Sequence, residues 1–308
     1  MLIKTASSSD IEPFIDKLYI PQKKTHKGQN GKLLIIGGSS LFHAASLWSA
    51  EIASHFVDMV HYSSTQENQK IFINLKTKFR DGIFINKKNL LDYVTEDDCI
   101  LLGPGMTRGK IDKKNLPLDF EIIINIEKEE QYTYELTGYL LNKFPEKKFV
   151  IDAGALQTME KKWLTTMKTK AIVTPHEKEF KSLFGISLHN RSWEDITKIV
   201  KETAKEFNCI IVLKMVEDIV SDGHSLYQIT GGNAGLTKGG TGDALAGLIA
   251  SLNTKNDQIT ASIVASYTLN KTADELFKVD KYWYNTSNLI NTIPRVFSSM
   301  ISQKLTFK

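Results

Sequence analysis

Hydrophobic residues along this chain fall in short unbroken runs, and stretches with helical spacing lie between them. Leu33–Ile36 is one such run, closed by Gly37-Gly38, and it predicts a buried strand. In Phe42–Phe56 the residues Ala44, Ala45, Leu47, Trp48, Ile52, Ala53 and Phe56 follow the spacing of a helix. Val57–Tyr62 predicts a second strand, and Cys99–Leu102, stopped by Gly103-Pro104-Gly105, a third. Phe149–Ile151 ends at Asp152, Ala171–Val173 at Thr174-Pro175, and Ile210–Leu213 at Lys214. Strands that finish in Gly, Pro, Asp or Lys, with helices between them, are the pattern of an α/β protein built on a mostly parallel sheet.

The pattern changes after Lys214. Asp218–Ser221, a turn at Asp222-Gly223, and Leu226–Ile229 predict a β-hairpin. A glycine cluster follows, and then three helical segments, Asp243–Leu252, Gln258–Phe277 and Thr286–Met300. The stretch Met106–Tyr134 is harder to assign, because its apolar run Ile122–Ile126 suits either an extra strand or a decorated loop. No repeat and no low-complexity linker interrupts the chain. The expectation is one three-layer α/β/α domain over residues 1–308, with 1–25 as an N-terminal extension.

Composition narrows the classes. Of 308 residues 42% are hydrophobic and 24% charged, enough for a sizeable core with an ordinary soluble surface. With 19 Gly and 7 Pro the chain is neither collagen-like nor a Pro/Gly-rich disordered segment. A net charge of +4 is too small to argue for nucleic acid, yet leaves room for a local phosphate site. Cys99 and Cys209 are far apart beside apolar runs and read as buried small hydrophobes, not a disulfide framework. The start, MLIKTASSSD, has no apolar signal region. Ala244–Leu252 is far shorter than the roughly 20 residues of a membrane span. A cytoplasmic protein with no membrane or nucleic-acid partner is expected.

The most informative segment is Gly231–Asp243, with six glycines in thirteen residues. Glycine permits positive φ, so successive N–H groups can converge on anionic oxygens, and a following helix N-terminus adds to the attraction. Asp243 is then either an N-cap or a base set beside bound phosphate. No Gly-Lys-Ser/Thr follows at P-loop spacing, and no Gly-x-Gly-x-x-Gly follows the first strand.

Gly-Thr-Gly-Asp (240–243) opening a late helix resembles the ribokinase-like superfamily. The ordered set of motifs is similar to one branch, the ADP- or ATP-dependent NAD(P)H-hydrate dehydratases. It comprises His26-Lys27-Gly28-Gln29-Asn30-Gly31, Leu34–Ser39, Phe42-His43-Ala44-Ala45, Gly103-Pro104-Gly105-Met106, Ile151–Leu156, Val173–Phe180 and Asn233–Gly247. The resemblance implies a stand-alone dehydratase domain of ribokinase-like fold that repairs hydrated NADH or NADPH (NADHX or NADPHX). In that reaction a nucleotide phosphorylates the ring hydroxyl and phosphate is then eliminated. It also implies Asp243 as general base and substrate contact, with Ala45, Gly105, His176 and Asn233 around the substrate. Lys214, Met215, Val216, Glu217, Asp218, Gly240, Thr241 and Gly242 would lie along the nucleotide. Glu179 would hold Mg²⁺ through water, the ion arriving with ADP or ATP, and a homo-oligomer, commonly a tetramer, is implied.

Several of these residues also have plainer readings. Lys214 suits a strand-end lysine, His176 a loop histidine, Glu179 a first-turn glutamate, Ala45 a packing residue and Gly105 a turn. Two other functions stay open: a ribokinase-like small-molecule kinase with the same loop and base, and a non-catalytic nucleotide-binding protein. ADP is expected as the better donor, since an acidic Glu217-Asp218 wall would repel a triphosphate and the motifs resemble archaeal and bacterial members.

Overall fold

The computed structural model describes residues 1–113 and 119–306. The ten strands of its sheet are β1 (Leu2–Lys4), β2 (Lys32–Ile36), β3 (Met59–Ser63), β4 (Gly82–Phe84), β5 (Cys99–Leu102), β6 (Lys148–Ile151), β7 (Ile172–Val173), β8 (Ile210–Leu213), β9 (Asp218–Ser221) and β10 (Leu226–Thr230). Their spatial order is β1-β10-β9-β8-β7-β6-β5-β2-β3-β4. Only β9 runs antiparallel to its neighbours, β8 and β10. From β2 the chain moves outward through β3 to β4, then crosses to the other side of β2 with β5 and continues through β6, β7 and β8. The β2–β5 seam is therefore a switch point, where loops leaving the carboxyl ends diverge and open a crevice.

Strand alternation divides each apolar run between two layers. Leu33 and Ile35 enter one core and Leu34 and Ile36 the other. The first layer is covered by helices His43–Ala53, Thr241–Asn253, Gln258–Asp280 and Thr286–Thr306, and the second chiefly by Glu129–Lys143, Glu177–Phe184 and Trp193–Glu206. Every side chain from Ala244 to Asn253 is buried. That helix packs against His43–Ala53, Gln258–Asp280, β5 and β6, which fixes its amino end.

The predicted strands Cys99–Leu102 and Ile210–Leu213 have the observed bounds, and the hairpin forms as β9 and β10. The helix after the glycine cluster starts at Thr241, two residues before the expected Asp243. The run Ile122–Ile126 makes no strand, because its first residues complete the short helix Phe120–Ile123; residues 114–118 of that stretch lie outside the described residues. The segment read as an N-terminal extension is part of the sheet: β1 pairs parallel with β10, Ile3 is fully buried, and Ile11, Phe14 and Ile15 join the first core. A strand of three residues that pairs more than 220 positions away leaves no local period to read. Among the described residues no helix is long and apolar enough to cross a membrane.

Candidate active site

The glycine loop is held open by its surroundings. Gly240 has φ +97° and begins the helix Thr241–Asn253 as its N-cap, and a Cβ there would sit 2.4 Å from the Trp48 ring. No side chain caps this helix, so its first-turn amides stay available to an anion. Asp243 is the third helical residue, which corrects the reading of it as an N-cap. The Thr241 hydroxyl donates to the carbonyls of Leu236 (2.7 Å) and Lys238 (3.0 Å). The Lys238 ammonium binds the carbonyls of Tyr282 and Tyr284, and Thr286 Oγ1 donates to the Gly239 carbonyl at 2.8 Å. The backbone is thereby pinned from behind, while a Cβ on Gly239 would meet nothing within 4 Å.

Opposite this loop stands Lys214. Parallel pairing of β7 with β8 extends past both strands as a bridge between His176 and Lys214, and the Lys214 N–H donates to the Pro175 carbonyl at 2.8 Å. Lys214 Nζ donates to Asp152 Oδ1 at 2.8 Å and lies 3.8 Å from Glu179 Oε2. Asp152 Oδ1 also accepts from Thr174 Oγ1 at 2.7 Å. A Cβ on Gly242 would lie 3.4 Å from Lys214 Nζ, so the ammonium sits against the first helical turn. Burial alone would depress the Lys214 pKa, but the carboxylates of Asp152, Glu179 and Asp243 more than offset it and the net shift is upward. Asp243 is pushed up to about 7, first by burial and then by the Asp152 and Glu179 charges, with Lys214 opposing.

His176 is the N-cap of helix Glu177–Phe184 in a capping box. Its Nδ1 accepts from the N–H groups of Lys178 (3.1 Å) and Glu179 (3.2 Å). Acceptance there places the ring proton of the neutral imidazole on Nε2 and makes that atom a donor. Glu179 accepts from the His176 N–H at 2.9 Å and from Gln157 Nε2 at 2.7 Å. It is thus a first-turn glutamate as well as a site carboxylate.

Ala45 and Gly105 are brought together at the switch point, where a Cβ on Gly105 would fall 3.0 Å from that of Ala45. Asn233 is occupied by the loop itself: its Oδ1 accepts from the Gly235 N–H and Tyr284 hydroxyl, each at 2.9 Å, and its Nδ2 donates to the Ala273 carbonyl at 2.8 Å. The acidic wall has a different geometry from the one expected. Asp218 is buried and turned inward, accepting from Ser266 Oγ (2.5 Å) and Asn270 Nδ2 (3.0 Å), while Glu217 accepts from Gln228. The Asp218 carboxylate is therefore engaged in the interior, and Glu217 is held to Gln228. Met215 packs on the second core, and Val216 projects outward, 95% exposed.

The sequence reading assigned no role to Asp152 or Gln157 and only a packing role to Trp48. Asp152 had a visible signal, since a carboxylate ending a parallel strand points into the same crevice as Lys214 ending another. Trp48 and Gln157 lie within helices and carry none. Among the described residues no group of three or more His, Cys, Asp or Glu could hold a metal ion by itself.

This arrangement places a carboxylate of raised pKa and the uncapped amino end of a helix in one crevice. Residues 33–295 match the model of the NAD(P)H-hydrate dehydratase family. The chain belongs to the NAD(P)H-hydrate dehydratase family. The bifunctional NAD(P)H-hydrate repair enzyme Nnr of Methanocaldococcus jannaschii is 31% identical to it over 283 residues, 88% of this chain and 49% of that protein. The ADP-dependent (S)-NAD(P)H-hydrate dehydratase of Nitrosopumilus maritimus is 30% identical over 286 residues, 92% and 94% of the two chains. This family member therefore spans about half the length of the bifunctional relative and nearly all of the single-function one. A ribokinase-like superfamily protein of Enterococcus faecalis has the same fold, with TM-score 0.76 and 20% identity over 97% and 96% of the chains.

Two outcomes follow from this geometry. Gly239→Val has open space, so it should keep wild-type stability within about 0.5 kcal/mol yet weaken nucleotide binding about tenfold. Gly240→Val should lose stability as well, because it meets Trp48 at positive φ. Calorimetric titration beside denaturant melts separates the two, and unchanged affinity in Gly239→Val would show that phosphate does not approach this loop. The second outcome concerns pH. The raised Asp243 pKa means the folded state binds that proton more tightly than the unfolded chain. Its stabilising contribution is complete below the ordinary carboxylate range, about pH 4, and is lost as pH rises through about 7. Asp243→Asn should match wild-type stability near the lower limit and exceed it above the upper one by on the order of 1 kcal/mol. A stability difference that does not change with pH would contradict the assignment.

Proposed function

We propose that this chain is a nucleotide-dependent hydro-lyase that converts NADHX or NADPHX back to NAD(P)H, with ADP as the preferred phosphoryl donor. The observation that carries the reading is Asp243, a carboxylate of raised pKa on the first turn of an uncapped helix, beside the glycine cradle and Lys214. Asp243 accepts the proton of the ring hydroxyl as its oxygen attacks the terminal phosphorus of the nucleotide. The bond from that phosphorus to the bridging oxygen breaks, and AMP leaves when ADP is the donor. Amides of Gly240, Thr241 and Gly242 stabilise charge on the transferring group. The C–O bond of the new phosphoester then breaks with its electron pair on phosphate, and loss of the neighbouring proton forms the ring double bond.

Lys214 lies beside the nucleotide and sets the charge around Asp243, with Met215 and Val216 along the same wall. Asp218 supports that wall from inside, and Glu217 is held to Gln228. His176 donates from Nε2 to the substrate, while Ala45 and Gly105 let it approach the backbone. Asn233 acts through the shape of the loop. Each Glu179 oxygen accepts one protein hydrogen bond and keeps a lone pair for a water-held cation. Mg²⁺ brought by the nucleotide fits this arrangement and would neutralise phosphate charge. The preference for ADP rests on the name of the Nitrosopumilus relative, since the inward-turned Asp218 removes the repulsion argument. Two buried free thiols, Cys99 and Cys209, suit a cytoplasmic setting. Exposed Leu41, Phe42 and Trp283 offer apolar surface for a homo-oligomer, a tetramer in our reading.

One assay tests the proposal. Full-length protein with Mg²⁺ should turn over NADHX and NADPHX with either donor, releasing free phosphate and restoring the absorbance of the reduced nicotinamide. ADP should give the higher kcat/KM, and Asp243→Asn should lose about 10²–10⁴-fold in kcat while still binding nucleotide. A stable phosphoester product would make the protein a kinase. Near wild-type turnover in Asp243→Asn would remove the base, and ATP favoured about tenfold would reverse the donor assignment.

A further inference from the structure

A second cavity, of about 370 Å³, opens over the carboxyl ends of β2 and β3. That volume is within the range of small-molecule sites. Met106, Ile124 and Tyr132 place it on the side of the second core. Among the described residues three buried side-chain oxygens lack a hydrogen-bond partner, and two of them, Ser63 Oγ and Thr107 Oγ1, border this cavity. Ser63 is 1% exposed. Alternation along β3 puts it on the same face as His61, whose ring packs on Tyr93 of the second core, so Ser63 points to the cavity side. Leaving a buried hydroxyl unsatisfied costs about 1–3 kcal/mol, which an alanine would avoid.

Lys87 supplies a cation on the same wall. Its ammonium lies 3.8 Å from the centroid of the Tyr132 ring and has no hydrogen bond or salt bridge among the described residues. The nearby Glu129 carboxylate is taken up by the Ser40 N–H (2.8 Å) and hydroxyl (3.0 Å). Burial depresses the Lys87 pKa, with Glu129 opposing, so an arriving anion would favour the charged ammonium. The ten-residue helix Gln66–Leu75 starts here, with Thr65 and Gln66 in the wall. Thr65 Oγ1 satisfies only the Asn68 N–H, so the positive end of this helix adds to the field.

We propose that this cavity binds a phosphate group, with Lys87 as its cation and the Ser63 and Thr107 hydroxyls as donors. Glu127 and Glu129, also in its wall, disfavour a more highly charged polyanion. The site is separate from Asp243. Gly38 of its wall backs onto the Gly105–Ala45 contact, and the helix His43–Ala53 continues from there to Ser49, which holds the Asp243 carbonyl at 2.8 Å. Two sources share the chemistry: a phosphate at the far end of a dinucleotide, and free inorganic phosphate. The first rests on the proposed substrate, the second does not.

Calorimetric titration of the full chain with inorganic phosphate, NADP⁺ and NAD⁺ tests the site without reading turnover, so its failure is distinct from failure of the dehydratase reading. Wild type should bind phosphate saturably, and Lys87→Met should weaken it about tenfold or more, the loss of a charge-assisted contact. Lys87→Arg should restore most of that loss, and Ser63→Ala should weaken binding severalfold at a melting temperature no lower than that of wild type. If Lys87→Met does not fold, Ser63→Ala carries the test. NADP⁺ that competes with phosphate and is sensitive to Lys87 identifies the dinucleotide as source; phosphate alone showing this behaviour identifies the free ion. No saturable phosphate binding by wild type, or binding unchanged in the folded variants, overturns the proposal.

Discussion

Lys214 draws three carboxylates to one point of the sheet, and the rest of the site depends on how unevenly it serves them. Asp152 takes the short contact at 2.8 Å, Glu179 stands at 3.8 Å, and Asp243 feels the cation without receiving a contact of that kind. Several like charges near one another in a partly dehydrated crevice cannot all ionise freely. Burial raises the Asp243 pKa first, and the Asp152 and Glu179 charges add to it against Lys214. Asp243 is also the only one of the three on the helix that follows the glycine loop. The ammonium is thus shared unevenly: Asp152 binds it directly, Glu179 holds the His176 N–H, and Asp243 keeps a raised pKa, the property on which its proposed role as base rests.

This division requires a parallel sheet. Asp152 follows β6, Lys214 follows β8, and Thr174-Pro175-His176 follows β7, so three adjacent strands deliver polar residues to the same carboxyl end of the sheet. Asp243 arrives from above on a helix whose side chains are buried from Ala244 to Asn253 and which cannot slide without disturbing the first core. Two local distortions complete the geometry. Gly240 takes a left-handed conformation against Trp48, and Ala153, just after Asp152, also has positive φ, at 44°. A non-glycine residue in that region is uncommon, and it occurs here at the turn that aims the anchoring carboxylate.

Much of this was legible from residues alone because it is local. The unbroken runs Cys99–Leu102 and Ile210–Leu213 are strands as read, and within the cluster Gly231–Asp243 the residues Gly231, Gly232 and Gly240 take the positive φ that glycine permits. What was not legible depends on partners distant in sequence. β1 becomes a strand only by pairing with β10. Whether Asp218 faces a ligand or the interior is decided by Ser266 and Asn270 on a helix some fifty residues later. His176 and Asn233 both proved to be caps, the imidazole Nδ1 and the amide Oδ1 each accepting backbone N–H groups that follow them closely in the chain. Asp152 was quoted within a motif, yet its pairing with Lys214 crosses 62 positions and two strands.

The central claim is electrostatic, and the titration of Asp243 observed directly is its sharpest test. Carboxyl carbon NMR of isotopically labelled protein, with Asp243→Asn to assign the signal, would follow ionisation through the neutral range. The account predicts a midpoint far above ordinary carboxylates, near the value of about 7 that burial and the neighbouring charges impose, and a further rise in Lys214→Met as the opposing cation is removed. A midpoint in the ordinary range of about 4, or one that does not move in Lys214→Met, would contradict it.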